Sequence, residues 1–515
     1  MSPNPEKDLQ IEASLNSLSY GGYACAKTSA GLVYVPKGVP GDKVMVRLRK
    51  MRKQFGSAVI EKILEPSADR VEPDCEAFDR GCGGCQWLHI AYQAQLYWKR
   101  RILQKTLEKS LGTKVAVESV IGMDNPLQYR NKLSLMRDEN GDLGLMKENS
   151  KELVDFSYCK VELPVNQAVY EKLLGTRLPA WISQVHVRGN TRGEAGIVFY
   201  AESMNPEYQK FCISLMERIP GVTGIGLKTY RGFFLCAGKL LLEETVGAFN
   251  YSFPIHSFFQ TNYMQAEKLV SLAMRKLELA LSDRVMDLFS GVGLFTLPAA
   301  KKAKTAVGIE NDRDAVAAAV YNSETNKVGN ASFLHKIAET GIRNYSKGDI
   351  DALVTDPPRT GLSQQLVTAI QDLRPERIVY ISCSPDTLAR DLLMLSPYYS
   401  LASCSAVDMF PHTYHTETAV LLVAKGTHAP HVDARQSHVN KNTRNENRPR
   451  PDNRQGRTGS QTNWQNRPGQ RQQDHNRHRN EPDRHRREPD RHRRGQGKDM
   501  RNPGRSIRNS RKPNP

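Results

Sequence analysis

Between residues 284 and 423 the chain repeats one unit: an apolar run, then a helical stretch. The runs are RVMDLFS, AVGIE, ALVTDPP and RIVYISC, and each ends in a polar or reactive residue. Such alternation specifies a parallel sheet with helices on both faces, an α/β doubly wound architecture. Ligands of these sheets bind outside the carboxyl ends of the strands. Those ends are Asp287, Glu310, Asp356 and Cys383.

The rest of the chain reads differently. GLVYVP (31–36), DKVMVRLR (42–49) and GSAVIEKIL (56–64) are short strands separated by turn signals, a pattern that suits a small β-barrel. Val44, Val46 and Leu48 form one apolar face, and Arg47, Arg49, Lys50, Arg52 and Lys53 crowd the strand end, where they suit phosphate. Residues 92–110 read as a helix, 129–150 as a hairpin turning at Glu139–Asp142, and Glu267–Leu281 as an amphipathic helix. From Thr427 onward there are 23 Lys+Arg and 9 Asp+Glu, so this tail carries +14 of the net +18. It is expected to be disordered, repeats EPDRHRR in tandem at 481–494, and reads as a polybasic arm for nucleic acid. No secretory leader pattern and no run of about 20 apolar residues is present, so a cytoplasmic protein with no membrane span is expected. The nine cysteines then serve as metal ligands, catalysts or core rather than as a disulfide framework.

Local chemistry sharpens the strand ends. In DLFSGVGLF, Gly291 and Gly293 permit a tight turn and close approach of a ligand to the backbone. Glu310 follows at about 20 residues, the offset of a ribose-binding acid. The lysine-containing phosphate loop and the third glycine of the dinucleotide fingerprint are absent from this segment. These features point away from ATP and NAD and toward S-adenosylmethionine. Asp356, held by two prolines, reads as a wall of the reaction pocket. Cys383 lies one strand later, before a helix beginning near Pro385 whose N-terminus is expected to lower the thiol pKa. Glu417 is a candidate general base, with His412 and His415 before it. Cys75, Cys82 and Cys85 have C-x6-C-x2-C spacing and Cys159 follows; four thiolates suit zinc or a four-iron cluster. Cys25, Cys212, Cys236 and Cys404 read as core.

PGDKV, CGGCQ, YRNK, SFFQTN, DLFSGVGLFTL, DPPRTGL, ISCSP and DMFPHTYHTE occur in that order across residues 10–426. With these motifs the chain resembles the bacterial RNA uridine C5-methyltransferases, most closely the iron–sulfur branch acting on 23S ribosomal RNA. The resemblance implies a class I S-adenosylmethionine-dependent methyltransferase (Rossmann-like) domain over 256–426. It implies an N-terminal TRAM-like β-barrel over 1–68 and a central iron–sulfur domain over 69–255, whose 92–115 helix packs on the methyltransferase domain. The tail occupies 427–515. Cys383 matches the nucleophile and Glu417 the proton acceptor. Gln260, Phe289, Glu310 and Asp356 match cofactor-binding positions, whereas Leu294 stands where many relatives carry a cofactor-touching asparagine. Cys75, Cys82, Cys85 and Cys159 match the ligands of a 4Fe–4S cluster. Phe258 and Phe259 are candidates to stack on a flipped base. The implied partner is RNA, bound by a monomer with no obligate protein partner. A transfer RNA target, an amine methyltransferase and a non-catalytic RNA-binding or ribosome-assembly protein are the competing readings.

Overall fold

The computed structural model describes residues 9–52 and 54–426. The basic tail and Lys53 lie outside them. The repeating segment builds most of an eight-stranded sheet, ordered Ala331–His335, Thr305–Glu310, Arg284–Leu288, Ala352–Thr355, Arg377–Ser382, Glu417–Ala424, Tyr399–Val407 and Val117–Ile121. The first five strands are mutually parallel. The expectation of a parallel sheet fails beyond them: Glu417–Ala424 runs antiparallel to both neighbours. A crossover needs a dozen or more residues, and only 408–416 separates Tyr399–Val407 from Glu417–Ala424, so these two close as a hairpin. That reversal brings Glu417 to the same sheet edge as Cys383, because Ser382 and Thr418 are register partners.

Helices cover both faces. Leu269, Val285, Val354, Val379 and Leu421 belong to one core, and Leu353, Ile370, Tyr380, Leu388 and Leu422 to the other. The amphipathic helix expected at 267–281 occupies Tyr263–Leu277. Asn262 starts it by accepting a hydrogen bond from the Gln265 N–H, and Glu278 ends it in the left-handed region.

Near the N-terminus, six strands form one sheet, ordered Gln10–Ser14, Lys43–Arg52, Phe55–Glu65, Gly31–Val35, Ala24–Thr28 and Ser17–Leu18. Val44, Val46 and Leu48 are buried, as their alternation required. Arg47 ion-pairs with Glu61 at 2.8 Å. A seven-stranded sheet follows, containing the expected hairpin as Lys132–Arg137 and Leu143–Met146.

The helix Tyr92–Leu111 crosses to the large sheet, packing on the helix Pro385–Leu395 and the strand Val117–Ile121. It carries a fully buried ion pair, Lys99 Nζ with Asp408 Oδ1 at 2.5 Å. Tyr92 also donates to Asp408 Oδ2, at 2.9 Å. Removing one partner of a buried pair leaves the other charge unpaired, which costs about 3–5 kcal/mol. Lys99→Met is expected to destabilise the protein by that amount, read as a lowered denaturant midpoint. Among the described residues no helix is long and apolar enough to cross a membrane.

Candidate active site

The glycine turn follows the strand Arg284–Leu288. Phe289, at φ 63°, turns the chain and donates its N–H to the Ile309 carbonyl at 3.0 Å. Gly291 and Gly293 also have positive φ, 53° and 91°. A side chain at Gly291 would project into open space, whereas one at Gly293 would press on the Phe333 ring at 3.1 Å. The turn is tied to the next strand by Glu310, which accepts from Gly291 N at 2.9 Å, Asn311 N at 2.7 Å and Asp312 N at 2.9 Å. Behind it, Asp287 is fully buried and accepts from Thr296 Oγ1 at 2.6 Å. Burial, reinforced by the Asp356 and Glu310 carboxylates, raises the Asp287 carboxyl to about 8. Its Oδ1 and the Ser290 hydroxyl are buried without protein partners. Unpaired polar atoms beside an open glycine turn fit a polar ligand such as the amino-acid and ribose parts of S-adenosylmethionine. Leu294 is buried in the core and takes no part in this rim.

Asp356 receives a hydrogen bond from Gln260 Nε2 at 3.1 Å. Gln260 is held in turn by Asn131, whose Nδ2 donates to the Gln260 carbonyl at 2.8 Å. Burial raises the Asp356 carboxyl to about 7. Glu417 is buried too, and burial followed by the field of Asp356 raises it well above the usual carboxylate range. Cys383, partly exposed, faces both acids. Burial and the charges of Glu417 and Asp356 push its thiol up to about 12, with Arg359 opposing. The expected lowering is therefore overturned: the helix does begin at Pro385, but desolvation and two acids raise the thiol. The flanking serines shape the turn. Ser382 Oγ accepts from Ser384 N at 3.1 Å, and Ser384 caps the helix. With the thiol this high, alkylation of Cys383 by iodoacetamide is expected to quicken about tenfold per pH unit from 7 to 9. Peptide mass spectrometry at residue 383 measures it.

The loop carrying Glu417 is anchored from several directions. Lys99 donates to the Phe410 carbonyl at 3.0 Å, Tyr129 to that of Pro411 at 3.0 Å, and Trp87 N to that of His412 at 2.9 Å. The His412 N–H reaches Gln95 Oε1 at 2.9 Å. Burial lowers His412 and His415 to about 4, so both are neutral near pH 7. Of the two stacking candidates, only Phe258 is free to stack, being 66% exposed. Phe259 is core, its ring stacked on Phe253 at 4.5 Å.

Cys75, Cys82, Cys85 and Cys159 line one cavity of about 90 Å³ with Arg130, Phe156 and Glu162. Burial raises the thiols of Cys82, Cys85 and Cys159. Among the described residues, the one group of three or more metal-ligating side chains within 4.8 Å of one another is His256, Asp312 and Asp314. The His256 group is a structural tie: Asp312 caps the helix Arg313–Thr325 and accepts from Ser257 Oγ, while His256 Nε2 meets Asp314 at 3.1 Å. Cys25, Cys212, Cys236 and Cys404 are buried, as expected, and Cys212 and Cys236 meet side by side. Sequence reasoning missed Arg359 and Asn131, which sit inside the quoted DPPRTGL and YRNK, because their roles depend on distant partners.

A doubly wound sheet with a glycine turn, an acid ending the next strand and a deep cluster at the strand ends defines a Rossmann-like methyltransferase. Residues 240–425 match the family model described as tRNA (Uracil-5-)-methyltransferase. An uncharacterized RNA methyltransferase of Listeria monocytogenes is 31% identical over 461 residues, covering 82% of this chain and 100% of its own. One of Synechocystis sp. is 32% identical over 453 residues, covering 82% and 97%. The crystal structure of Pyrococcus abyssi tRNA (uracil-54, C5)-methyltransferase in complex with S-adenosyl-L-homocysteine superposes with a TM-score of 0.62 at 27% identity, covering 80% of this chain and 99% of that one. The chain belongs to the RNA methyltransferase family of these relatives.

Proposed function

We propose that this RNA methyltransferase forms 5-methyluridine, with Cys383 as nucleophile and Glu417 as proton acceptor. The observation that carries the reading is the meeting of Cys383, Glu417 and Asp356 at one sheet edge, close enough for each acid to perturb the thiol. Uracil carbon 5 is too weak a nucleophile to be methylated unaided. Sγ of Cys383, as thiolate, adds to carbon 6, and the displaced π electrons make an enolate that renders carbon 5 nucleophilic. S-adenosylmethionine supplies the electrophilic methyl group when bound. Gln260, Phe289, Glu310 and Asp356 are the residues proposed to hold it, in front of the open turn at Gly291. Glu417, in its ionised form, then removes the carbon 5 proton, the double bond re-forms, and Sγ leaves as thiolate. Exposed Phe258 stacks on the flipped base.

Cys75, Cys82, Cys85 and Cys159 are proposed to hold a 4Fe–4S cluster with a structural role. Their convergence on one cavity is what favours it. Protein purified anaerobically is expected to be brown and to contain iron, and Cys85→Ser to lose both; a colourless zinc protein overturns the cluster. Residues 1–68, 69–255 and 256–426 are proposed as RNA-binding TRAM-like barrel, cluster-bearing and methyltransferase domains of a cytoplasmic monomer. The basic tail is proposed as an auxiliary RNA arm. Truncation after Gly426 is expected to leave methyl transfer intact while flattening the salt dependence of RNA binding.

The proposed target is 23S ribosomal RNA. The Pyrococcus neighbour, whose name specifies transfer RNA, makes transfer RNA the second reading. Labelled methyl transfer to each RNA from a deletion strain, followed by mapping of 5-methyluridine, separates the two. Failure to methylate either overturns the proposal.

A further inference from the structure

We propose that the N-terminal sheet carries a stacking groove for unpaired bases of the substrate RNA beside the target uridine. This rests on the RNA methyltransferase reading and extends it to how the substrate is held. The groove, of about 530 Å³, is lined by Ser19, Tyr20, Tyr23, Tyr34, Pro36 and Ser57. Its composition follows from strand alternation. In Gly31–Val35, Val33 and Val35 point into the core, leaving Leu32 and Tyr34 on the outer face. Their register partners are Phe55 and Ser57, which places Phe55, 56% exposed, on the same face. Tyr34 and Phe55 thus lie outward on adjacent strands.

The occupant is argued from where the groove leads. Tyr20 closes one end, with its hydroxyl beside Arg359 and Ser384, and Ser384 directly follows Cys383. The Tyr20 ring also stands edge-on to Tyr414 of the Glu417 loop, with centroids 5.5 Å apart. Tyr20 thus links the groove to the Glu417 loop and to the residues around Cys383. The turn between Tyr20 and Tyr23 is anchored to the rest of the fold: a side chain at Gly22, φ 92°, would press on Tyr414 at 3.1 Å, and Trp87 Nε1 donates to the Gly22 carbonyl at 3.0 Å. A strand of RNA whose target base is turned toward Cys383 runs past Tyr20, where Arg359 supplies positive charge. Its neighbouring bases then meet Tyr23 and Tyr34. Aromatic platforms bind unstacked bases with little sequence preference and with energy that does not depend on counterion release.

Binding of a fluorescein-labelled single-stranded RNA of about 12 nucleotides to the full chain, measured by anisotropy across a salt series, tests this. Tyr34→Ala and Tyr23→Ala are expected to weaken binding about 5- to 150-fold each without changing the slope of log affinity against log salt. Tyr34→Phe keeps the stacking ring and is expected to bind like the parent. An unchanged affinity in Tyr34→Ala, or a loss accompanied by a shallower salt slope, overturns the groove. A thermal melt matching the parent's establishes that Tyr34→Ala is folded; if it is not, Tyr34→Phe against Tyr34→Leu, which keeps apolar bulk without a ring, decides by the same criteria. Methyl transfer is scored separately. A chain that methylates no uridine but loses affinity in Tyr34→Ala retains the groove and loses the reaction. One that methylates while Tyr34→Ala binds normally does the reverse.

Discussion

Cys383→Ala is expected to abolish methyl transfer, by about 10⁴-fold or more, while leaving binding of RNA and of the methyl donor within a few-fold of the parent. The size follows from the role. Without a bond from Sγ to carbon 6 there is no enolate, and the other groups at the strand ends have nothing activated to act on. Cys383→Ser should be almost as inactive, because a hydroxyl is far less readily ionised than even this raised thiol. The measurement is single-turnover transfer of labelled methyl, paired with incubation of the parent with 5-fluorouridine RNA. Fluorine cannot leave carbon 5 as a proton does, so the parent should stop as a covalent complex, with the modified peptide centred on residue 383. Full activity in Cys383→Ala removes the mechanism and favours transfer to an exocyclic amine, which needs no thiol. The resting thiol is held up to about 12 by burial and by Glu417 and Asp356. Its thiolate fraction therefore grows as pH rises, and the single-turnover rate of the parent should climb with pH through the neutral range.

The second large effect separates attack from release. Glu417→Gln removes the group proposed to take the carbon 5 proton and leaves Cys383 untouched. Addition and methylation proceed, elimination does not, and RNA should accumulate covalently attached to the protein with the methyl already in place. Loss of a general base lowers turnover about 10²–10⁴-fold. A denaturing gel shows the adduct, and its mass includes one methyl group. Glu417→Asp is expected to recover part of the turnover, since a carboxylate is restored at a slightly greater distance. The double variant Cys383→Ala with Glu417→Gln should form no adduct. Turnover of Glu417→Gln at the parental rate would assign the proton to another base, with Asp356, itself raised to about 7 by burial, next in line.

The chain by itself determined a great deal. The alternation of apolar runs and helices over 284–426 set the layered sheet, because periodicity of burial is a local property of sequence. It put Asp287, Glu310, Asp356 and Cys383 at one edge, since every parallel strand delivers its last residue to the same side. The alternating faces of the N-terminal strands were equally readable, as was the grouping of four cysteines. Other properties came only with the tertiary structure. The antiparallel return of Glu417–Ala424 depended on which neighbour that strand paired with. The Cys383 thiol rose instead of falling, because of desolvation and two acids from other strands. Phe258 and Phe259 are adjacent and chemically identical, yet one is exposed and the other stacks on Phe253, a choice made by packing. Tyr20, Asn131 and Arg359 reach the site across long stretches of chain. Their positions follow from contacts between elements, which no local pattern of residues encodes.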